Sequence, residues 1–295
     1  MTEQTPTIGI LGPGAVGGAL AVPLAEAGLD VVCIARPATA AAITSQGLSL
    51  RHGSGVRTVR LRAVEGLEET VDLLLVTVKA TGLDDALGRI EATPSVVLPL
   101  LNGLEHVDTI RSRLDGRVLA GSIGKLEAYR DSPTEVVQTT PAPLITIFPE
   151  DGAAHLLSEA GLDVRVGESE QAVLWEKTVR LAPLAAATAI TQKALGQLRT
   201  DSTWRSTLSA AVAEACAVAA ADGVILDEGA QWEILDTMPA SVTTSTARDA
   251  AAGRPTELDA ILGAVVRAAK RLEVRAPTLD RLLAEAEDAC RAQSH

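Results

Sequence analysis

The stretch Gly12-Pro13-Gly14-Ala15-Val16-Gly17 constrains this chain more than any other. A short apolar run, Ile8-Gly9-Ile10-Leu11, precedes it and reads as a buried strand. An Ala/Leu-rich run from Gly18 to Ala27 follows and reads as a helix. Strand, G-x-G-x-x-G, helix is the dinucleotide-binding arrangement, in which each glycine has a steric task. Gly12 permits the tight turn, Gly14 lets the backbone approach a pyrophosphate, and Gly17 lets the helix pack against the strand. The pyrophosphate sits on the free N–H groups and positive dipole of the helix N-terminus. Gly12, Gly14, Ala15, Val16 and Gly17 are therefore candidate cofactor residues. A glycine turn of purely structural use is the alternative; its place on the first strand of an α/β pattern favours the nucleotide.

The chain continues in α/β fashion. Asp30 to Ala35 reads as the second strand, ending at Arg36. At this strand end an acid accepts from a ribose 2′-hydroxyl, whereas an arginine suits a 2′-phosphate. Asp30 opens the strand instead of closing it, so Arg36 favours NADP(H). Residues 48–63 read as short strands around a Gly53-Ser54-Gly55 turn. Asp72 to Lys79 and Ser95 to Leu101 are apolar runs of the kind found in central parallel strands. Lys79 ends the first, and Asn102 follows the second, on the side of such sheets where ligands bind. Residues 117–126, 134–139 and 143–148 read as further strands extending that sheet. Helix 151–160 and strand Asp163 to Val166 close the first domain. Near Ser169 the pattern becomes helical throughout, with stops at Gly196, Gly223, Gly253, Pro239 and Pro277. The expected organisation is an α/β, Rossmann-type doubly wound sheet over residues 1–168, then an all-helical domain over 169–295.

Composition limits the partners. The 295 residues suffice for two cores, and only 2% are aromatic. A net charge of −12 repels phosphate backbones, and few aromatics are available for base stacking, which argues against nucleic acid. Cys33, Cys216 and Cys290 show neither a disulfide framework nor metal-ligand spacing, as suits a reducing cytoplasm. The N-terminal stretch Met1 to Pro6 lacks a basic-then-apolar leader, and no apolar run reaches membrane-spanning length. A soluble cytoplasmic protein with no membrane partner is expected.

In the helical half, Lys177, Leu181, Ala185 and Thr188 share one helix face, apolar apart from its ends. A lysine opening such a face either snorkels to solvent or meets a partner. Further on, Ser245-Thr246-Ala247-Arg248-Asp249 and Gly253-Arg254-Pro255-Thr256-Glu257 gather polar groups in an alanine-rich region. Thr256 is placed to cap a helix over 257–272, with Glu257 in its first turn.

These motifs, in this order, resemble the ketopantoate reductases (2-dehydropantoate 2-reductases). The likeness is carried by Gly12 to Gly17, Val78-Lys79-Ala80, Leu101-Asn102-Gly103, Trp175-Glu176-Lys177 and Gly253-Arg254-Pro255-Thr256-Glu257. It continues through Ile261, Gly263, Val265-Val266-Arg267 and Ala276-Pro277-Thr278, and so covers nearly the whole chain. The resemblance implies reduction of a 2-keto acid with NADPH in pantothenate biosynthesis, in a cleft between a Rossmann and a helical domain, and a homodimer. By it Lys177 is the general acid, Glu257 orients substrate and cofactor, and Ser245 binds the substrate carboxylate. Lys79 and Asn102 line the nicotinamide end.

The sequence departs from the family pattern K-L-x-x-N-x-x-x-N: Leu181 and Ala185 stand where the family has asparagines. The family's I-N-G is Ile261-Leu262-Gly263. Pro183 removes a helix hydrogen bond nearby. A site lacking those amides discriminates less for a hydroxylated substrate. Three readings follow: a ketopantoate reductase, a relative reducing a less polar 2-keto acid or carbonyl, or a non-catalytic NADP-binding redox sensor.

Overall fold

The computed structural model describes residues 5–293, so residues 1–4 of the stretch read for a leader lie outside the described residues. Two compact units are present: residues 1–101 with 106–173, and residues 102–105 with 174–295.

The first unit is built on a six-stranded, all-parallel sheet. Its strands are β1 (Thr7–Leu11), β2 (Asp30–Ile34), β5 (Arg62–Val64), β6 (Leu73–Val76), β7 (Val96–Pro99) and β8 (Arg117–Val118). They lie in the order β5-β2-β1-β6-β7-β8. The apolar runs are continuous because both faces are covered. Ile8, Ile10, Val31, Cys33, Leu73 and Leu75 point into one core. Leu11, Val32, Ile34, Leu74 and Val76 point into the other. Helix α1 (Ala15–Glu26) leads from β1 to β2, and the chain returns to β6 on the other side of β1. The strand order therefore reverses beside β1, where ligands of open parallel sheets bind. The remaining helices of this unit are α2 (Pro37–Gln46), α3 (Leu83–Leu87), α4 (His106–Arg111) and α5 (Gly152–Glu159).

The strands expected to extend this sheet do so only at β8. The hairpin β3 (Leu48–His52) and β4 (Gly55–Val59) joins β10 (Ala128–Ser132) and β11 (Glu135–Gln138) in a separate sheet, ordered β10-β11-β3-β4. This second sheet lies on α1, where a Cβ at Gly18 would fall 2.5 Å from Val136 Cγ2. A third sheet pairs β12 (Leu144–Phe148) with β9 (Ala120–Gly124) and β13 (Asp163–Val166). Local alternation reveals a strand but not its neighbour, which is why the expectation of one extended sheet failed.

The second unit is helical. Its first helix, α6 (Glu170–Thr191), begins in the first unit and carries Pro183 inside it. Then come α7 (Leu195–Thr200), α8 (Ser202–Ala221), α9 (Glu228–Thr237), α10 (Ser245–Ala251), α11 (Ala264–Arg271) and α12 (Pro277–Gln293). Side chains supply the helix starts. Asp201 accepts from Thr203 N and Trp204 N, Asp227 from Ala230 N, and Thr244 from Ala247 N. The α12 start is capped from another helix, by Glu214 accepting from Thr278 N and Leu279 N.

Three expected boundaries differ. Gly196 lies inside α7, where its Cβ would fall 2.6 Å from that of Ala240, so it serves close approach and not termination. Pro277 opens α12, as proline suits a first helical position. The helix expected over 257–272 begins at Leu258 and passes through one π-helical turn, Asp259–Gly263, before α11. Thr256 hydrogen-bonds to the Cys290 thiol. No helix among the described residues is long and apolar enough to cross a membrane.

Candidate active site

In the first unit the Gly12–Gly17 turn sits where the sheet order reverses. Gly12 has φ +84°, and a Cβ there would fall 2.4 Å from Val78 Cγ1. A Cβ on Gly17 would fall 2.4 Å from Thr77 Oγ1 and 2.5 Å from Gly12 O. Gly14 is the open one: its Cβ would meet only Gly12 O, at 3.9 Å. Thr77 Oγ1 donates to Gly12 O at 2.8 Å, so the end of β6 fixes the turn. Gly14 precedes α1 with no side-chain cap, leaving the first N–H groups, those of Ala15 and Val16 among them, without a side-chain acceptor. A turn held on two sides, open at its middle glycine and backed by an uncapped helix start suits a pyrophosphate.

Arg36 stands just past β2, exposed, at the N-cap of α2. No carboxylate among the described residues pairs with it. Lys79 is exposed and lies three residues past Val76, at the start of a short 3₁₀ turn over Ala80–Gly82.

The second unit gathers the other polar groups. Asn102 leaves the end of β7 with the 102–105 segment and belongs to this unit. Lys177 Nζ donates to Asn102 Oδ1 at 2.8 Å. Burial pushes the Lys177 ammonium down to about 8; the Glu257 carboxylate opposes that shift and the Arg180 guanidinium adds to it. Glu257 is itself buried, 6% exposed. Lys177 thus faces an amide carbonyl and a carboxylate, and is not an apolar-face lysine reaching only for water.

Helix α6 is anchored at this point. Trp175, fully buried, donates from Nε1 to Asp222 at 2.8 Å. Along the Lys177 face, Leu181 is half-buried, while Ala185 and Thr188 are fully buried. Thr188 Oγ1 and Thr244 Oγ1 lie 2.8 Å apart, tying α6 to the start of α10, whose first residue is Ser245. The structure therefore unites Lys177, Asn102 and Glu257, while Ser245 follows Thr244, the residue bonded to the far end of the same helix face. It separates Leu181 from Ala185 by environment, since only Leu181 keeps open surface.

Sequence reasoning overlooked Arg180, which is held by Gln231 Oε1 and contributes positive potential at Lys177. It also overlooked Glu105, Asp259 and the role of Arg267. Only their charges were visible in the sequence; the partners are far apart along the chain.

Residues 8–149 match the family model described as ketopantoate reductase PanE/ApbA, and residues 170–288 match its C-terminal counterpart. The 2-dehydropantoate 2-reductase of Mycobacterium tuberculosis strain H37Rv is 30% identical over 301 residues, covering 95% of this chain and 98% of that protein. An uncharacterised oxidoreductase of Bacillus subtilis, YkpB, is 25% identical over 93% of this chain and 96% of its own length. Among solved structures, a PanE/ApbA family ketopantoate reductase from Ralstonia eutropha superposes with a TM-score of 0.88 at 30% identity, covering 98% of this chain and all of that one. A D-mandelate dehydrogenase bound to NADH and anilino(oxo)acetate shares the fold, with a TM-score of 0.89 at 23% identity over 97% and 99% of the two chains. The chain is an oxidoreductase acting on CH–OH or keto groups with a nicotinamide cofactor, and it belongs to the ketopantoate reductase family.

Proposed function

We propose that this protein reduces a 2-keto acid to the 2-hydroxy acid with NADPH. The observation that carries the reading is the Lys177 ammonium, lowered to about 8, 2.8 Å from Asn102 Oδ1 and influenced by buried Glu257. A reduced nicotinamide cofactor, its pyrophosphate held at the Gly12–Gly17 turn, would supply the hydride. This chain's own work is at the ketone oxygen. Negative charge builds there as the C=O π bond opens, and Lys177 Nζ donates its proton to that oxygen. An acid near neutrality is well matched to this transfer, typically worth about 10²–10⁴-fold. Asn102 aims the ammonium, Glu257 keeps it charged and orients the substrate, and the Ser245 hydroxyl donates to the substrate carboxylate. Arg36 takes the 2′-phosphate that distinguishes NADPH, and Lys79 serves the nicotinamide end.

Ketopantoate is the substrate that family membership suggests first. A second reading, a less polar 2-keto acid, rests on Leu181: an alkyl side chain with open surface occupies the Lys177 face where the family pattern carries an amide. The direct test is NADPH oxidation against a panel of 2-keto acids graded in side-chain polarity. Turnover of ketopantoate well above all others supports the first reading, and preference for branched or aromatic side chains the second. Failure to oxidise NADPH with every member would overturn both.

A further inference from the structure

Asn102 can aim Lys177 only if the 102–105 segment keeps its height relative to α6. Two features fix that height. Gly103 has φ +98°, and its Cβ would fall 2.1 Å from Ala260 O, so its backbone rests directly on the π-turn Asp259–Gly263. Beyond it, Glu105 is gripped by Arg267: Nε donates to Oε1 at 2.9 Å and Nη2 to Oε2 at 2.7 Å. The same guanidinium reaches the π-turn, with Nη1 donating to Asp259 Oδ1 at 2.6 Å and Nη2 to Asp259 O at 3.1 Å. Gly263 makes room for this, since a Cβ there would fall 2.6 Å from Asp259 Oδ1 and 3.1 Å from Arg267 Nη1. Only Leu258 separates Glu257 from the π-turn in sequence. One guanidinium therefore links the segment carrying Asn102 to the turn that follows Glu257.

We infer that Arg267 is a positioning residue: by clamping Glu105 to the π-turn at Asp259, it holds the Asn102 carbonyl against Lys177 Nζ. The clamp is unsuited to a purely stabilising role. The Arg267 and Glu105 side chains are 43% and 53% exposed, and exposed ion pairs add little to stability. What its fork geometry supplies is direction.

The activity arm of the test rests on Lys177 being the proton donor. Arg267→Met and Arg267→Lys are made in the full chain, each alone and combined with Asn102→Ala. Arg267→Met is expected to lower kcat/KM about 10- to 100-fold, as small misplacements of reacting groups do, with little change in Tm. Arg267→Lys recovers part of the loss, because an ammonium can hold one carboxylate but not the whole fork. In the Asn102→Ala background Arg267→Met costs less than about twofold, since the group it acts through is gone. Equal losses in both backgrounds, or no loss in the first, overturn the inference. If Arg267→Met unfolds the protein, Glu105→Gln is read in its place, with the same criteria.

A second readout needs no turnover. With lysine labelled at ¹³Cε, the Lys177 titration is followed by NMR. Removing an acceptor from the ammonium favours the neutral amine, so Asn102→Ala lowers the midpoint. Arg267→Met is expected to lower it comparably, with Glu257 and Arg180, the other charges that act on Lys177, left in place. A midpoint unmoved by Arg267→Met sinks the clamp whatever the reaction. A midpoint that moves in a protein inert to every 2-keto acid sinks the reaction and leaves the clamp standing.

Discussion

At the scale of single residues the chemistry proposed above turns on one proton. Lys177 must be protonated to donate, and its ammonium is lowered to about 8 chiefly by burial. The expected pH dependence follows: kcat/KM for reduction is level below that value and falls as pH rises through it, and a profile still level at pH 10 contradicts the assignment. Lys177→Ala should lower kcat about 10²–10⁴-fold, the usual loss on removing a general acid. Affinity for NADPH, read by fluorescence titration, should stay within a few-fold. Glu257→Ala should raise KM as well as lower kcat, because orientation acts in ground and transition states alike. Leu181→Asn restores an amide where there is open surface. It should improve kcat/KM for ketopantoate relative to less polar 2-keto acids if the natural substrate is apolar. Ala185→Asn is a poorer probe, because Ala185 is fully buried and an added amide there would need a buried partner.

At the scale of elements, the glycine turn between β1 and α1 separates folding from binding. A Cβ on Gly17 would collide with Thr77 Oγ1, which is bonded to Leu11 O and Gly12 O, and with the backbone oxygen of Gly12. Gly17→Ala should therefore destabilise the protein by about 1–3 kcal/mol, as overpacking of a tight contact does. A Cβ on Gly14 meets only Gly12 O at 3.9 Å, so Gly14→Ala should melt normally yet bind cofactor more weakly. Paired thermal melts and cofactor titrations check this. Equal effects of the two substitutions on Tm would show that the turn has a packing role only. The same scale explains α6, which stays one helix across Pro183 because Trp175 bonded to Asp222 and Thr188 bonded to Thr244 hold it on both sides of the proline.

At the scale of the molecule, the acidic chain, with a net charge of −12, must still attract a phosphorylated cofactor. In the proposed reading, Arg36 and the N–H groups at the start of α1 do this, not the overall field. A ligand that binds only the folded state stabilises it by about 2.7 kcal/mol at a concentration 100 times its dissociation constant. NADPH should therefore raise Tm more than NADH at equal concentration, and Arg36→Ala should shrink the difference. Identical shifts from the two cofactors in the unmutated protein would count against the 2′-phosphate role of Arg36.

Much of this was legible in the chain itself, for physical reasons that are local. Backbone sterics force glycine where φ is positive or atoms crowd, so the Gly12–Gly17 turn announces its strand and helix. Continuous apolar runs announce the central parallel strands, and period-3.6 patterning announces the helical second unit. Lys177, Asn102 and Glu257 were nameable as candidates because polar residues at strand ends and on alanine-rich faces need partners. Tertiary structure alone decided which partners they found. The Lys177–Asn102 bond spans 75 residues and the Arg267–Glu105 bond 162, and no local energy term selects either. The same holds for the second and third sheets, since edge pairing is chosen by what remains uncovered after the central sheet is built. The π-turn at Asp259–Gly263 was also invisible, because it differs from an α-helix by one hydrogen-bond register, and the close approach of Gly103 and the grip of Arg267 support that register from outside the helix.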